Sequence, residues 1–139
     1  KNMPKQEFLF GKINNEEIII VEGVFDVMKM WENGFRNCVC PSGIVFSEEQ
    51  ASLLIENGVK TLILLPDGDE AGKKFIKQME DYTNIFEIEI ANPHAFYINE
   101  GKDPFDLTRE DIEFALKHKF NLGERIWEKE KNRILRWNS

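Results

Sequence analysis

Two aliphatic runs that end in acid constrain this chain more than anything else in it. Ile18–Val21 is unbroken, preceded by Glu16-Glu17 and followed by Glu22-Gly23. Thr61–Leu65 is the clearest strand of the sequence and runs into Pro66-Asp67-Gly68-Asp69. A short apolar run without polar alternation suits a strand buried on both faces, as in a parallel sheet.

The segments between and after these runs have helical spacing. Val24–Glu32 places Val24, Val27, Met28 and Trp31 at helical intervals, and Gly34 closes the segment. Cys38–Cys40 reads as a short strand. Ser47-Glu48-Glu49-Gln50 is a capping-box pattern that opens a helix with Ala51, Leu54 and Ile55 turned inward and a stop at Asn57-Gly58. A helix from about Glu70 to Tyr82 carries Phe75, Ile76 and Met79 on one face. Phe86, Ile88 and Ile90 alternate with acids, as expected of a strand nearer an edge. Residues 97–107 read as a loop, Thr108 caps a helix to about His118, and a basic helix fills most of 121–137. Strand and helix alternate three times, then a strand and helices follow. The expected fold is therefore α/β: a mostly parallel central sheet of about four strands flanked by helices, plus C-terminal helices.

In such sheets ligands gather at the carboxyl ends of the strands. Glu22 and Asp26 follow the first run, and Asp67 and Asp69 follow the second, so at least three carboxylates are expected on one sheet edge. Like charges so close repel unless a cation joins them. Clustered oxygen ligands suit Mg²⁺ or Mn²⁺, which keep positions open for phosphate oxygens. Taken singly, Asp-Gly-Asp is an ordinary turn and Glu-Gly an ordinary helix start. Their joint placement carries the metal reading.

Charge narrows the function classes. With 18 basic and 25 acidic residues the net charge is −7, which counts against a module that coats nucleic acid by charge alone. Residues 117–139 hold seven basic and three acidic groups, a net +4, so the body before them carries −11. The basic helix has two readings: contact with a template backbone, or complementation of the acidic body in cis. The second is favoured, with Ile126, Trp127 and Ile134 available for docking. No stretch approaches the roughly 18 apolar residues of a membrane span, and no signal peptide is visible. Cys38 and Cys40 are expected to face opposite sides of their strand and to remain reduced thiols of a cytoplasmic protein.

Several spaced motifs, in order, resemble one family. Val21-Glu22-Gly23-Val24-Phe25-Asp26 is similar to the Glu-Gly-x-x-Asp motif that opens a Toprim domain. Asp67-Gly68-Asp69-Glu70-Ala71-Gly72 resembles the Toprim Asp-x-Asp motif in the form found in bacterial DnaG-type primases. Ser42-Gly43 and Ser47–Ala51 resemble that family's glycine loop and following helix, Gly101-Lys102-Asp103-Pro104 its Gly-x-Asp-Pro segment, and Phe8–Gly11 its lead-in. The resemblance implies a Rossmann-like Toprim catalytic domain over residues 8–107 with a C-terminal helical extension over 108–139.

By the same resemblance Glu22 is a general acid/base or metal ligand, Asp67 and Asp69 hold Mg²⁺ (or Mn²⁺), and Asp26 and Asp103 join the cluster. Gly43, Lys73 and Lys102 are candidate phosphate or nucleic-acid contacts; Lys73 and Lys74 both follow Gly72 at a helix start that can orient phosphates, and both are equally ordinary solvated helix residues. One departure stands out: the family's usual Asp-Pro-Asp is here Asp103-Pro104-Phe105-Asp106, with the second acid displaced by one position. The implied activity is Mg²⁺-dependent RNA primer synthesis on single-stranded DNA from ribonucleoside triphosphates, the DNA-directed RNA polymerase activity of such primases, with the isolated domain expected to be inactive. The implied partners are a replicative helicase and the rest of a longer primase or primase–helicase polypeptide, since the family's basic template-gripping subdomain and zinc module are not in this sequence. A Toprim nuclease acting on DNA or RNA uses the same carboxylates, and a noncatalytic module binding nucleic acid or a helicase is the third reading. A phosphate-receiver domain fits less well, because its paired acids follow the first strand.

Overall fold

The computed structural model describes residues 8–10, 16–41, 46–67, 70–91 and 107–137. In chain order the elements are β1 (Phe8–Phe10), β2 (Glu17–Ile20), α1 (Val24–Glu32), β3 (Cys38–Pro41), α2 (Glu48–Glu56), β4 (Thr61–Leu64), α3 (Glu70–Met79) with a 3-10 turn at Glu80–Tyr82, β5 (Glu87–Ile90), α4 (Arg109–Lys117), β6 (Phe120–Asn121) and α5 (Leu122–Trp137).

The sheet has six strands in the order β1-β3-β2-β4-β5-β6. The inner four are parallel, which is the expected core, with Ile20 opposite both Val39 and Leu64, and Leu64 opposite Ile90. An antiparallel strand closes each edge. β1 pairs with β3, and β6 pairs with β5 through Glu89 opposite Asn121 and Ile90 opposite Phe120. β5 is thus one strand in from the edge, near it as expected. Its half-open face is explained by Glu89, which meets Lys119 at 3.8 Å.

Period-two alternation divides the aliphatic runs between two cores. Ile18, Ile20, Val39, Leu62, Leu64, Ile88 and Ile90 face the layer formed by α2, α3 and the start of α5, where Leu54, Phe75, Met79 and Leu122 fill the space. Ile19, Val21, Ile63 and Leu65 face the layer of α1 and α4, against Val27, Met30, Ile112 and Ala115. The result is a three-layer sandwich. Each fully buried Ile or Leu contributes on the order of 1.5–3 kcal/mol.

Cys38 and Cys40 both face the α1/α4 layer, not opposite sides, because residues two apart on a strand share a face. Both are buried free thiols. Burial, with repulsion from Cys40 and Asp26 added, pushes the Cys38 thiol pKa up.

Local signals set the helix bounds. Ser47 Oγ accepts from the Gln50 N–H at 3.1 Å, and Gln50 Oε1 accepts from the Ser47 N–H at 3.0 Å. Thr108 and Asp111 form the same reciprocal box at the start of α4. Gly34 and Gly58, at φ 92° and 81°, let the chain turn out of α1 and α2. Two apolar residues expected inward are not: Met28 and Ile55 are 47% and 51% exposed. On α5, Ile126 packs against the core, whereas Trp127 and Ile134 are exposed. No helix among the described residues is long and apolar enough to cross a membrane.

Candidate active site

The chain order of the sheet decides where a crevice opens. After β2 the chain crosses through α1 to β3 on one side. It then returns through α2 to β4, which lies on the other side of β2. α1 packs on one face of the sheet and α3 on the opposite face. The connections leaving β2 and β4 therefore diverge, and a gap forms above the carboxyl ends of these neighbouring strands.

Glu22 and Asp67 stand at that gap. Glu22 follows β2 by two residues and Asp67 follows β4 by three, and the parallel register of Ile20 with Leu64 brings them to the same level. The Asp67 backbone N–H donates to Glu22 Oε2 at 2.7 Å. This bond to a carboxylate is of the short, charge-assisted kind, and it fixes the rotamer of Glu22. Asp26 lies in the first turn of α1 and is 6% exposed. Its carboxylate is close to the helix start: a Cβ on Gly23 would stand 3.4 Å from Asp26 Oδ2. An acid in this position is favoured by the helix dipole.

Gly72 shapes the same corner. A Cβ there would overlap the carbonyl oxygen of Asp67 and come within 2.8 Å of its carbonyl carbon. The first turn of α3 therefore sits on the Asp67 backbone at a separation only glycine permits. This is the physical reason for the glycine that ends the Asp-Gly-Asp-Glu-Ala-Gly run.

A cleft of about 490 Å³ lies over this corner. Glu22, Gly23 and Asp26 line it from the β2 side, Pro41 from the end of β3, and Asp67, Ala71, Lys74, Phe75 and Gln78 from the β4–α3 side. Three expected site residues, Glu22, Asp26 and Asp67, thus share one cleft. Lys73 does not: it pairs with Glu70 at 3.1 Å on the exposed side of α3. Asp69, Asp103, Gly43 and Lys102 lie outside the described residues, as do Asp106 and His94. His118 caps the end of α4, where its Nδ1 is 2.9 Å from the Phe114 carbonyl oxygen.

Sequence reasoning passed over Phe75 as anything but core, and missed Gln78 altogether. Gln78 Oε1 accepts the Phe46 N–H at 2.8 Å and ties α3 to the start of the α2 segment. No local motif marks it, since its partner is 32 residues away.

The donors present are carboxylate oxygens, the class that suits a hard divalent cation. Among the described residues no three histidine, cysteine or acidic side chains are gathered closely enough to hold a metal ion. Asp69 and Asp103, expected in the set, are not among those residues. Carboxylate oxygen is the donor class that suits Mg²⁺ or Mn²⁺, and Glu22, Asp26 and Asp67 are its described members in the cleft.

The sequence profile of the Toprim-like family matches residues 19–108. The chain is 31% identical over 131 residues to a DNA primase of Aquifex aeolicus, covering 89% of this chain and 26% of that protein. It is 32% identical over 108 residues to a DNA primase of Pseudomonas putida, covering 78% of this chain and 16% of that one. Among solved structures, the Aquifex aeolicus primase (zinc binding and RNA polymerase domains) superposes with a TM-score of 0.70 at 27% identity, over 87% of this chain and 30% of that one. A DNA primase domain from Pseudomonas aeruginosa superposes with a TM-score of 0.69 at 25% identity, over 84% and 37%. The chain spans about a quarter of the length of the first curated relatives it matches.

Proposed function

The chain belongs to the Toprim-like family, and from that premise we propose that it is the nucleotidyl-transfer domain of a DnaG-type DNA primase or primase–helicase. In this reading it joins ribonucleoside triphosphates into an RNA primer on a single-stranded DNA template, as part of a longer polypeptide that grips the template. The observation that carries the reading is the Asp67 N–H bond to Glu22 at the β2–β4 gap. It sets two acids side by side where a sheet of this topology receives ligands. The naming of the Aquifex relative by its RNA polymerase domains supports the polymerase sense of the chemistry.

The residues divide the work as follows. Glu22, held in one rotamer by the Asp67 amide, is placed to take the proton of an attacking hydroxyl or to ligate a cation. Asp67 and Asp69, with Asp26 and Asp103, would hold Mg²⁺ or Mn²⁺. When bound, such an ion neutralises phosphate charge and lowers the pKa of an attacking hydroxyl. Gly72 keeps the Asp67 backbone against α3, so the acid cannot drift from Glu22. The −11 carried by the body before residue 117 explains why a polyanion needs that cation to approach.

Ribonucleotide incorporation on single-stranded DNA and cleavage of DNA and RNA, measured side by side with Mg²⁺ and Mn²⁺ on a longer polypeptide carrying this domain, test the reading. Incorporation lost in Asp67→Asn, without cleavage by the wild type, is expected. Metal-dependent cleavage without incorporation would instead make the domain a Toprim nuclease. Activity untouched by both Glu22→Gln and Asp67→Asn would make it a noncatalytic binding module.

A further inference from the structure

We propose that Lys74 is a phosphate-binding residue of the cleft, its ammonium taking a non-bridging oxygen of a nucleoside triphosphate across from Glu22 and Asp67. The proposal rests on the nucleotidyl-transfer reading and assigns a role within the same cleft.

Three lysines sit within five residues of α3, and their surroundings differ. Lys73 pairs with Glu70 at 3.1 Å, and Lys77 pairs with Glu80 at 3.5 Å. Both are exposed i,i+3 pairs of the kind that stabilise a helix by a few tenths of a kcal/mol. Lys74 has no ion pair among the described residues, and of the three it alone lines the cleft. It is also the only cation among the cleft's described lining residues, which include three acids.

A lysine that borders three carboxylates yet pairs with none of them within 4 Å is not a device for helix stability. Lys74 is exposed at the cleft wall, and no described acid holds its charge. The species that such a space accepts between acids and an ammonium is an anion brought in with a divalent cation: a polyphosphate. Lysine serves such oxygens as a compact point charge with three rotatable donors. Gln78, one turn further along the same face of α3, also lines the cleft. Its Oε1 is engaged by the Phe46 N–H, so the amide NH₂ is the end that remains to donate. The α3 wall therefore offers two donors one helical turn apart, facing an acidic wall.

Calorimetric titration of Mg·ATP into the full 139-residue chain, repeated over a range of ionic strength, tests this. Lys74→Ala is expected to weaken binding about tenfold, the scale of one charge-assisted hydrogen bond. It should also flatten the ionic-strength dependence, because one screened charge pair is gone. Lys74→Arg should restore most of the affinity. Lys73→Ala and Lys77→Ala should stay within about twofold, as expected for exposed pairs. Lys74→Ala behaving like Lys73→Ala would overturn the proposal, as would a wild-type chain that does not bind Mg·ATP. If Asp67→Asn still abolishes primer synthesis in that event, only the Lys74 assignment falls. If a longer polypeptide carrying this domain incorporates no ribonucleotide, the underlying reading falls with it.

Discussion

The Asp67 amide and the Glu22 carboxylate, 45 residues apart in sequence, are joined by a hydrogen bond of 2.7 Å across the ends of two parallel strands. One bond therefore ties the rotamer of Glu22 to the backbone of Asp67, and the consequences of removing charge or shape there can be separated. Glu22→Gln retains an oxygen that can accept the Asp67 N–H but loses the charge. Primer synthesis should fall by at least about a hundredfold, the range of general acid–base effects, while the melting temperature moves by only a few degrees. Glu22→Ala should in addition lower stability by about 1.5–3 kcal/mol, the scale for a hydrogen bond to a charged group. Thermal melts and incorporation rates on the same preparations check both.

Gly72→Ala should be far more damaging than its size implies. The added methyl meets the backbone of Asp67 and not a yielding side chain. A loss of about 2 kcal/mol or more is expected, at the upper end for overpacking, read as a lower urea midpoint at unchanged m. Gly23→Ala is the control. Its Cβ would meet only Asp26 Oδ2 at 3.4 Å, and its φ of −134° is open to any residue. It should cost less than about 1 kcal/mol, because Gly23 is the N-cap of α1, where alanine is the poorer residue.

Mn²⁺ binding followed by electron paramagnetic resonance checks the carboxylate assignment without any turnover. Asp67→Asn should lower affinity by at least about tenfold, since even residues outside the ligand set typically cost that much. The double variant Asp67→Asn/Asp69→Asn should lower it further. Equal binding by wild type and the double variant would remove these acids from the metal site.

Cys38 gives a pH signature. Burial raises its pKa above the ordinary value of about 9.0, so the thiol stays protonated in the folded state where the unfolded chain has released its proton. The unfolded state then binds fewer protons, and stability falls as pH rises. Unfolding free energy from this group should be constant below about pH 8 and fall by up to about 1.4 kcal/mol per unit once pH exceeds the unfolded thiol's pKa. Urea melts at neutral and alkaline pH, with Cys38→Ala showing the shallower decline, measure it. A thiol reagent should label Cys38 only on unfolding.

What could be read from the sequence is what local chemistry encodes. The span of α1, the Ser47–Gln50 box and the acids after β2 and β4 each declare themselves within a few residues. β1 and β6 did not, because runs of three and two residues are too short to show a period. The shared face of Cys38 and Cys40 follows from strand alternation and is a matter of geometry, not of hidden information. The choice of Lys74 over Lys73 is different. Adjacent helix positions differ by about 100° of rotation; the Phe75–Met79 face is legible in the sequence, but where it docks on the sheet, and so which lysine borders the cleft, is set by tertiary packing. The meeting of Asp67 with Glu22 and with Gly72 is likewise tertiary, made by strands paired across long stretches of chain.

Because β4 docks beside β2 and not beside β3, the two halves of the cleft come from strands separated in the chain by α1, β3 and α2. The pairing of β4 with β2 is what brings Glu22 to Asp67. The Glu22–Asp67 corner is thus a long-range feature of the chain, absent from any segment that ends before residue 61, and contacts of such sequence separation are the slow ones to form.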